Sequence, residues 1–312
     1  MACFAIIVYM STIFISIASY RDPELEATLQ DMVAKAEKPE RLHFGIVYQG
    51  TDRERPDLSF LPKYSLISMH PRDARGVGFA RSKAMSLYQG ETYFLQVDSH
   101  MRFVKDWDRI AIKQLGIAQC LTKNKVILSS FPAPYSLEGK TTVIHTKQVG
   151  DWAVHPTKQK VILRKSNEWG AERVEFSDLQ RSLPEESNTI LAGFVFTYGD
   201  IVEQVPYDPD ISFFGEEVCF AARAWTKGWD IYSPSVVIAY HFYHRGGFKK
   251  VWNDNNIRPI SWSDLQKISY EKQKRVLCGL EEGQFALGAN RTIEAYESMV
   301  GFSFKEFYLT QK

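Results

Sequence analysis

The sequence predicts an α/β fold built on a mostly parallel, Rossmann-like central sheet. Two observations carry this. Short runs rich in Ile, Val and Leu alternate with amphipathic helical patterns from residue 13 to residue 130, and several of these runs end in polar residues able to do chemistry. The chain, 312 residues with 45% hydrophobic content, is also long enough to bury a large core without a disulfide or metal staple.

The elements follow in order. Residues 13–18 are an Ile-rich buried strand, and Asp22-Pro23 then reads as an N-cap and first-turn proline for a helix. In that helix Leu25, Leu29, Met32, Val33 and Ala36 share one face, and Pro39 ends it. Residues 42–48 and 64–69 read as the second and third strands, separated by a polar loop with Pro56 and Pro62. Ala80, Ala84, Leu87 and Tyr88 mark a helix closed by Gln89-Gly90, and residues 93–97 form a fourth strand leading into Asp98. A helix lined by Trp107, Ile110, Ala111, Leu115 and Ala118 precedes a strand at 126–130. Residues 131–190 lose this rhythm and read as an acceptor-facing insertion with short strands such as 161–164. The rhythm resumes with a strand at 191–197, a helix at 216–227 and a strand at 236–240, and from Ser263 the chain is helical and charged. No internal repeat or linker divides the chain, so residues 12–312 are expected to form one domain behind a short apolar extension, residues 1–11.

Composition excludes several classes. Lys plus Arg minus Asp plus Glu is 38 − 37 = +1, with no block of one sign to track a polyanion, so nucleic acid is not an expected partner. Mean hydropathy is −0.26, which argues against a multi-span membrane protein. Residues 2–20 carry no charge and approach the length of a spanning helix, but Ser11, Thr12, Ser16 and Ser19 interrupt them. With no basic stretch before and no small-residue cleavage signal after, they fit a signal peptide poorly. The expected location is cytoplasmic, with a membrane anchor over residues 2–20 as the alternative reading. The four cysteines, Cys3, Cys120, Cys219 and Cys278, include no CxxC pair, which excludes a zinc ribbon.

In open α/β sheets ligands bind beyond the carboxyl ends of the strands, so the residues just after each apolar run matter most. These are Ser19-Tyr20-Arg21-Asp22, Gln49, Asp98-Ser99-His100 and His241. Asp98 and His100, two apart in an extended segment, point the same way and suit Mn²⁺ or a similar divalent ion, with His241 as third ligand. The same tripeptide also reads as a strand-end Asp capping a turn beside a surface His. Arg75-Gly76-Val77-Gly78-Phe79-Ala80-Arg81 puts two glycines before a helix, where backbone N–H groups and Arg81 suit a diphosphate, although an ordinary loop reads equally well. Glu216 and Glu217 open a helix beside Phe213 and Phe214. They either complement the helix dipole or orient an attacking hydroxyl. Arg245 suits a leaving phosphate, while Lys249 and Lys250 also read as solvated surface.

Together, Ser19-Tyr20-Arg21-Asp22-Pro23, Val97-Asp98-Ser99-His100-Met101, Ala192-Gly193-Phe194, Phe214-Gly215-Glu216-Glu217 and Gly228-Trp229-Asp230 resemble one family, in its order and over nearly the whole chain. It is the polypeptide N-acetylglucosaminyltransferase family that modifies hydroxyproline on a ubiquitin-ligase subunit. The resemblance implies a GT-A glycosyltransferase fold, UDP-GlcNAc as donor, Mn²⁺ or Mg²⁺, retention of anomeric configuration and a polypeptide acceptor. It makes Asp98, His100 and His241 the metal ligands, with Ser19 and Arg21 lining the nucleotide pocket. Gly193 would let the donor sugar approach the backbone, and Glu216 and Glu217 would be the acidic pair near the acceptor. Val77 departs from the Pro of the family's glycine segment, and the family core does not need residues 2–10. Two other readings fit the residues: a transferase using another nucleotide donor or a glycan acceptor, and a noncatalytic metal-dependent carbohydrate-binding protein.

Overall fold

The computed structural model describes residues 11–139, 141–144, 160–163, 171–175 and 182–310. Its first strand, β1 (Ile13–Tyr20), is central. It lies between β2 (Leu42–Gln49) and β4 (Tyr93–Asp98), parallel to both. β3 (Tyr64–Met69) continues the parallel set on the far side of β2. The full order is β11-β13-β6-β12-β4-β1-β2-β3, where β6 is Lys125–Ser129, β11 Glu185–Glu186, β12 Phe194–Tyr198 and β13 Trp229–Ser233. The sheet is mostly parallel, as predicted. Only β12, antiparallel to both β4 and β6, and the short β11, antiparallel to β13, run against the rest.

Alternation along β1 sends side chains to two cores. Ile13, Ile15 and Ile17 meet Leu25, Leu29 and Met32 of α1 (Leu25–Lys35) and Trp107, Ala111 and Leu115 of α3 (Trp107–Gln119). Phe14 faces the other way, into a core with Phe94, Val195 and Phe220, the last of which belongs to α5 (Glu216–Thr226). Between these, α2 (Val77–Met85) lays Ala80 and Ala84 on Val47. The remaining helices are α4 (Ile201–Gln204), α6 (Trp262–Leu277), α7 (Ile293–Val300) and α8 (Phe304–Thr310).

A second, four-stranded sheet has the order β5-β14-β7-β8, with β5 Met101–Phe103, β7 Ala133–Glu138, β8 Thr141–Ile144 and β14 Ala239–His241. Part of the expected insertion, β7, therefore pairs directly with β14. The strand expected at 161–164 is β9 (Lys160–Leu163), paired with β10 (Ala171–Glu175).

Several boundaries differ from expectation. α1 starts at Leu25, with Glu24 at its N-cap, and Asp22 instead accepts the Glu24 N–H through one oxygen and keeps the other for the site. α2 ends at Met85, before Leu87 and Tyr88. The strand expected from 191 begins at Phe194, because residues 192–193 turn toward the site, and the one expected from 236 is confined to Ala239–His241. The uncharged stretch before residue 20 ends in a central strand, and no helix among the described residues is long and apolar enough to cross a membrane.

Amides of 13–20 should fall in the slowest hydrogen-exchange class, because β1 is paired on both edges and covered on both faces. Ile15→Ala, at a fully buried position, should cost roughly 2–5 kcal/mol by chemical denaturation. Fast exchange across 13–20, or a cost below about 1 kcal/mol, would contradict this packing.

Candidate active site

The sheet reverses its direction of growth between β1 and β4, so the ends of these strands border the crevice where α/β sheets bind ligands. Asp98 is the last residue of β4 and His100 follows two positions later. His241, from a distant part of the chain, reaches them because β14 pairs antiparallel with β5, setting His241 opposite Met101. The Phe242 N–H bonds the His100 carbonyl at 3.1 Å and locks that register. From α1, Thr28 clamps the β4–β5 turn: its hydroxyl donates to the Ser99 carbonyl at 3.0 Å and accepts the Met101 N–H at 2.9 Å.

Three donor atoms converge. His100 Nε2 and His241 Nε2 are 3.0 Å apart, His241 Nε2 is 3.2 Å from Asp98 Oδ2, and His100 Nε2 is 3.8 Å from the same oxygen. Two ligands each about 2.1 Å from one ion, at right angles, stand about 3.0 Å apart, so this spacing suits a single cation. Protonation suits it too. Asp22 Oδ2 lies 2.7 Å from His100 Nδ1, and a carboxylate only accepts, so Nδ1 carries a proton and Nε2 is the nitrogen turned toward the other two groups. Burial, then the neighbouring His100, pushes His241 down to about 4, leaving it neutral at physiological pH. For Asp98 burial acts upward, but the hydrogen bond from His241 and the charges of Arg81 and His100 hold it well below the usual carboxylate range. Two imidazole nitrogens and one carboxylate oxygen fit a borderline divalent ion such as Mn²⁺. His241 Nδ1 is buried with no hydrogen-bond partner.

Arg81 is buried beside this cluster. It donates to Asp98 Oδ1 at 2.9 Å, to Glu216 Oε1 at 2.5 Å and to the Ala192 carbonyl at 3.3 Å. The diphosphate pairing expected of Arg81 is thus replaced by two internal carboxylates. Its glycine segment also has a packing cause: a Cβ at Gly76 would lie 2.1 Å from the Ser212 carbonyl oxygen, and one at Gly78 2.2 Å from that of Ile211. The Val77 N–H is already bonded to the Ser212 carbonyl at 2.6 Å.

Glu216 and Glu217 open α5 behind Gly215, whose φ is 80°. They are not equivalent. Glu216 is buried on Arg81, with Oε2 unpartnered, whereas Glu217 accepts the Ala192 N–H at 2.7 Å and is more exposed. Burial and the adjacent Glu216 charge push Glu217 well above the ordinary carboxylate range. Both line a cleft of about 330 Å³ together with Asp98, His100, Gly193, Phe213 and Phe214. A Cβ on Gly193 would stand 3.6 Å from Asp98 Oδ2 and 3.8 Å from His241 Cδ2, so any side chain there would touch the cluster.

The other predicted residues separate. Ser99 is buried and donates to Asp22 Oδ2 at 2.8 Å. Arg245 lines the cleft, as do Lys249 and Lys250, which also read as surface from sequence. Gln49 borders a smaller recess of about 70 Å³ next to the cleft, and Tyr20, Val77 and Phe213 line both. Ser19 does not line the cleft, because strand alternation turns it to the opposite face of β1 from Ala18 and Tyr20. Arg21 is held by Glu54 at 2.7 Å and Asp254 at 2.8 Å. Sequence reading placed Tyr20 and Asp22 among the strand-end residues without giving either a role in the site, and it missed Trp252 as a wall. A larger cavity of about 380 Å³, lined by Ile13, Ile112, Ile117 and others, involves none of these groups.

Fold and cleft together define a GT-A glycosyltransferase scaffold. The chain belongs to the family described as Glycosyltransferase (GlcNAc), which it matches over residues 12–64 and 62–306. Its structure is similar to that of GalNAc-T7 with UDP, GalNAc and Mn²⁺, with a TM-score of 0.55 and 14% identity over 96% of this chain and 56% of that one. The chain thus spans a little over half the length of that relative. It is also similar to *S. aureus* TarS 1–349, with a TM-score of 0.44 and 11% identity over 85% of this chain and 72% of that one. No curated protein sequence matches it.

Asp98→Ala, His100→Ala and His241→Ala should each weaken Mn²⁺ binding at least about tenfold, read by electron paramagnetic resonance, while the fold survives. Asp22→Asn should weaken it less, since His100 loses its orienting charge but keeps Nε2. Unchanged Mn²⁺ affinity in all four variants would contradict the assignment.

Proposed function

We propose that this glycosyltransferase moves N-acetylglucosamine from UDP-GlcNAc to a hydroxyl acceptor on a polypeptide, with retention of configuration and dependence on Mn²⁺ or Mg²⁺. The observation that carries this is the convergence of Asp98, His100 and His241 at the sheet's switch point, facing a cleft with three cationic side chains on one wall and an acidic pair on the other. The family description supports the donor sugar, and the ligands of the GalNAc-T7 structure support a UDP-sugar and a divalent ion.

Breaking the anomeric bond leaves negative charge on the β-phosphate, which a bound divalent ion neutralises. The protein's own groups do the rest. Arg245, Lys249 and Lys250 draw the diphosphate into the cleft. Gln49, whose Nε2 donates to the Ser19 carbonyl at 3.3 Å, borders the recess that would take the nucleobase. Ser19 and Arg21 support this nucleotide half from behind it rather than by touching the ligand. Arg81 keeps Glu216 and Asp98 in place, and Glu217 orients the acceptor hydroxyl. The new C1–O bond forms on the face where the old one breaks, and the hydroxyl proton passes to the departing phosphate. In this reading the described part of the insertion around β7 faces the acceptor, which is supported by the pairing of β7 with the strand that carries His241; residues 145–159, 164–170 and 176–181 of the expected insertion lie outside the described residues. A cytoplasmic site of action completes the reading and is supported by the free thiols of Cys120, Cys219 and Cys278.

Mass spectrometry of acceptor peptides and glycans incubated with the protein, Mn²⁺ and a panel of UDP-sugars tests this. The expected product is a hydroxylated peptide gaining one N-acetylhexosamine from UDP-GlcNAc, abolished by chelator. Transfer only from another donor, only to glycans, or undiminished in chelator would overturn the corresponding part. Glu217→Gln should depress transfer roughly 10²-fold while sparing slow hydrolysis of the donor, whereas Glu216→Gln should depress both by releasing Arg81. Equal losses in both reactions for both variants would mean that the pair acts as a unit.

A further inference from the structure

One wall of the donor cleft is tied to the sheet by a single carboxylate. Asp254 lies between two 3₁₀ turns, Val251–Asn253 and Asn255–Ile257. Its Oδ2 accepts from the Tyr20 hydroxyl at 3.0 Å and from Arg21 Nη1 at 2.8 Å, and its Oδ1 is 3.9 Å from Lys249 Nζ. Arg21 has φ 48°, a left-handed conformation that is uncommon and unfavourable for a residue with a side chain. Ion pairs on both sides of its guanidinium, to Glu54 and to Asp254, hold it there.

The segment so tied is the one that faces the ligand space. Lys249, Lys250 and Trp252 line the cleft, Val251 lines the adjoining recess, and the Tyr20 ring borders both. Trp252 rests on Phe213, with ring centroids 4.8 Å apart, so the tie closes a continuous wall from the end of β1 to the start of α5. We propose that Asp254 is a positioning residue for the nucleotide half of the donor, holding residues 249–252 against the end of β1 so that the cations and the aromatic wall stand where UDP binds. This rests on the donor reading given above.

Two physical effects predict opposite signs. Removing the Asp254 charge deletes a negative group beside an anion site and frees Arg21 and Lys249, so Coulomb's law alone predicts tighter UDP binding. Loss of the tie lets the wall move and predicts weaker binding. Calorimetric titration of UDP with Mn²⁺ into the wild type, Asp254→Asn and Tyr20→Phe separates them. Asp254→Asn should bind UDP at least about tenfold more weakly and raise KM for the donor with kcat little changed. Its melting temperature and its affinity for Mn²⁺ alone should match the wild type. Tyr20→Phe, which loses one hydroxyl bond to the same carboxylate, should weaken UDP in the same direction, and the double variant should lose less than the sum. Unchanged or tighter UDP binding by Asp254→Asn, with wild-type binding intact, overturns the positioning role alone. If Asp254→Asn does not fold, unchanged affinity in Tyr20→Phe overturns it. A wild type that binds no UDP overturns the donor reading and this inference with it.

Discussion

The site depends on how one carboxylate divides its two oxygens. Asp98 gives Oδ1 to Arg81 and turns Oδ2 toward His100 and His241, so a buried cation and two imidazoles share one strand-end residue. A guanidinium buried without partners would cost several kcal/mol, and the same shared carboxylate, with Glu216, removes that cost. The consequence is a physical link between two parts of the cleft. Arg81 pairs with Asp98, whose other oxygen faces the two histidines, and with Glu216 of the acidic pair that opens α5.

The fold supplies the precision this arrangement requires. β1 and β4 are parallel neighbours with covered faces, which sets their ends side by side, and Asp22 bridges them through His100 and Ser99. The small sheet brings in the third side chain by backbone pairing, since the β5–β14 register sets His241 opposite Met101, and its Nε2 contacts with Asp98 and His100 complete the placement. Strand pairing on both sides of the crevice brings these three side chains together, with their facing atoms 3.0–3.8 Å apart.

Much of this was legible in the sequence, and the rest was not for reasons that can be named. The strand-helix-strand start was readable because Ile13, Ile15 and Ile17 repeat by two and Leu25, Leu29 and Met32 by about four, both local signals. Asp98 and His100 were readable because two residues in extended chain necessarily share a side. The reversed direction of β12 was not readable, since direction is set by pairing with β4 and β6 far away in sequence. Asp22 reads as a helix cap from the Pro23 beside it, whereas its partners Ser99 and His100 lie far along the chain. The glycines at 76 and 78 read equally as a diphosphate loop and as an ordinary loop, and the backbone of residues 208–212, which occupies the space beside them, supplies the packing reason for the second. Each miss concerns a contact between distant segments, which residue patterns along the chain do not encode.

The account stands on one ion at one place. Anomalous diffraction at the manganese edge, from crystals of the protein grown with Mn²⁺ and UDP, locates it directly. The predicted result is a single strong peak bonded to Asp98 Oδ2, His100 Nε2 and His241 Nε2, with the diphosphate on its open side. No peak there, with the histidines still 3.0 Å apart, or a peak bound only by surface carboxylates, would contradict the metal centre and the donor site built around it.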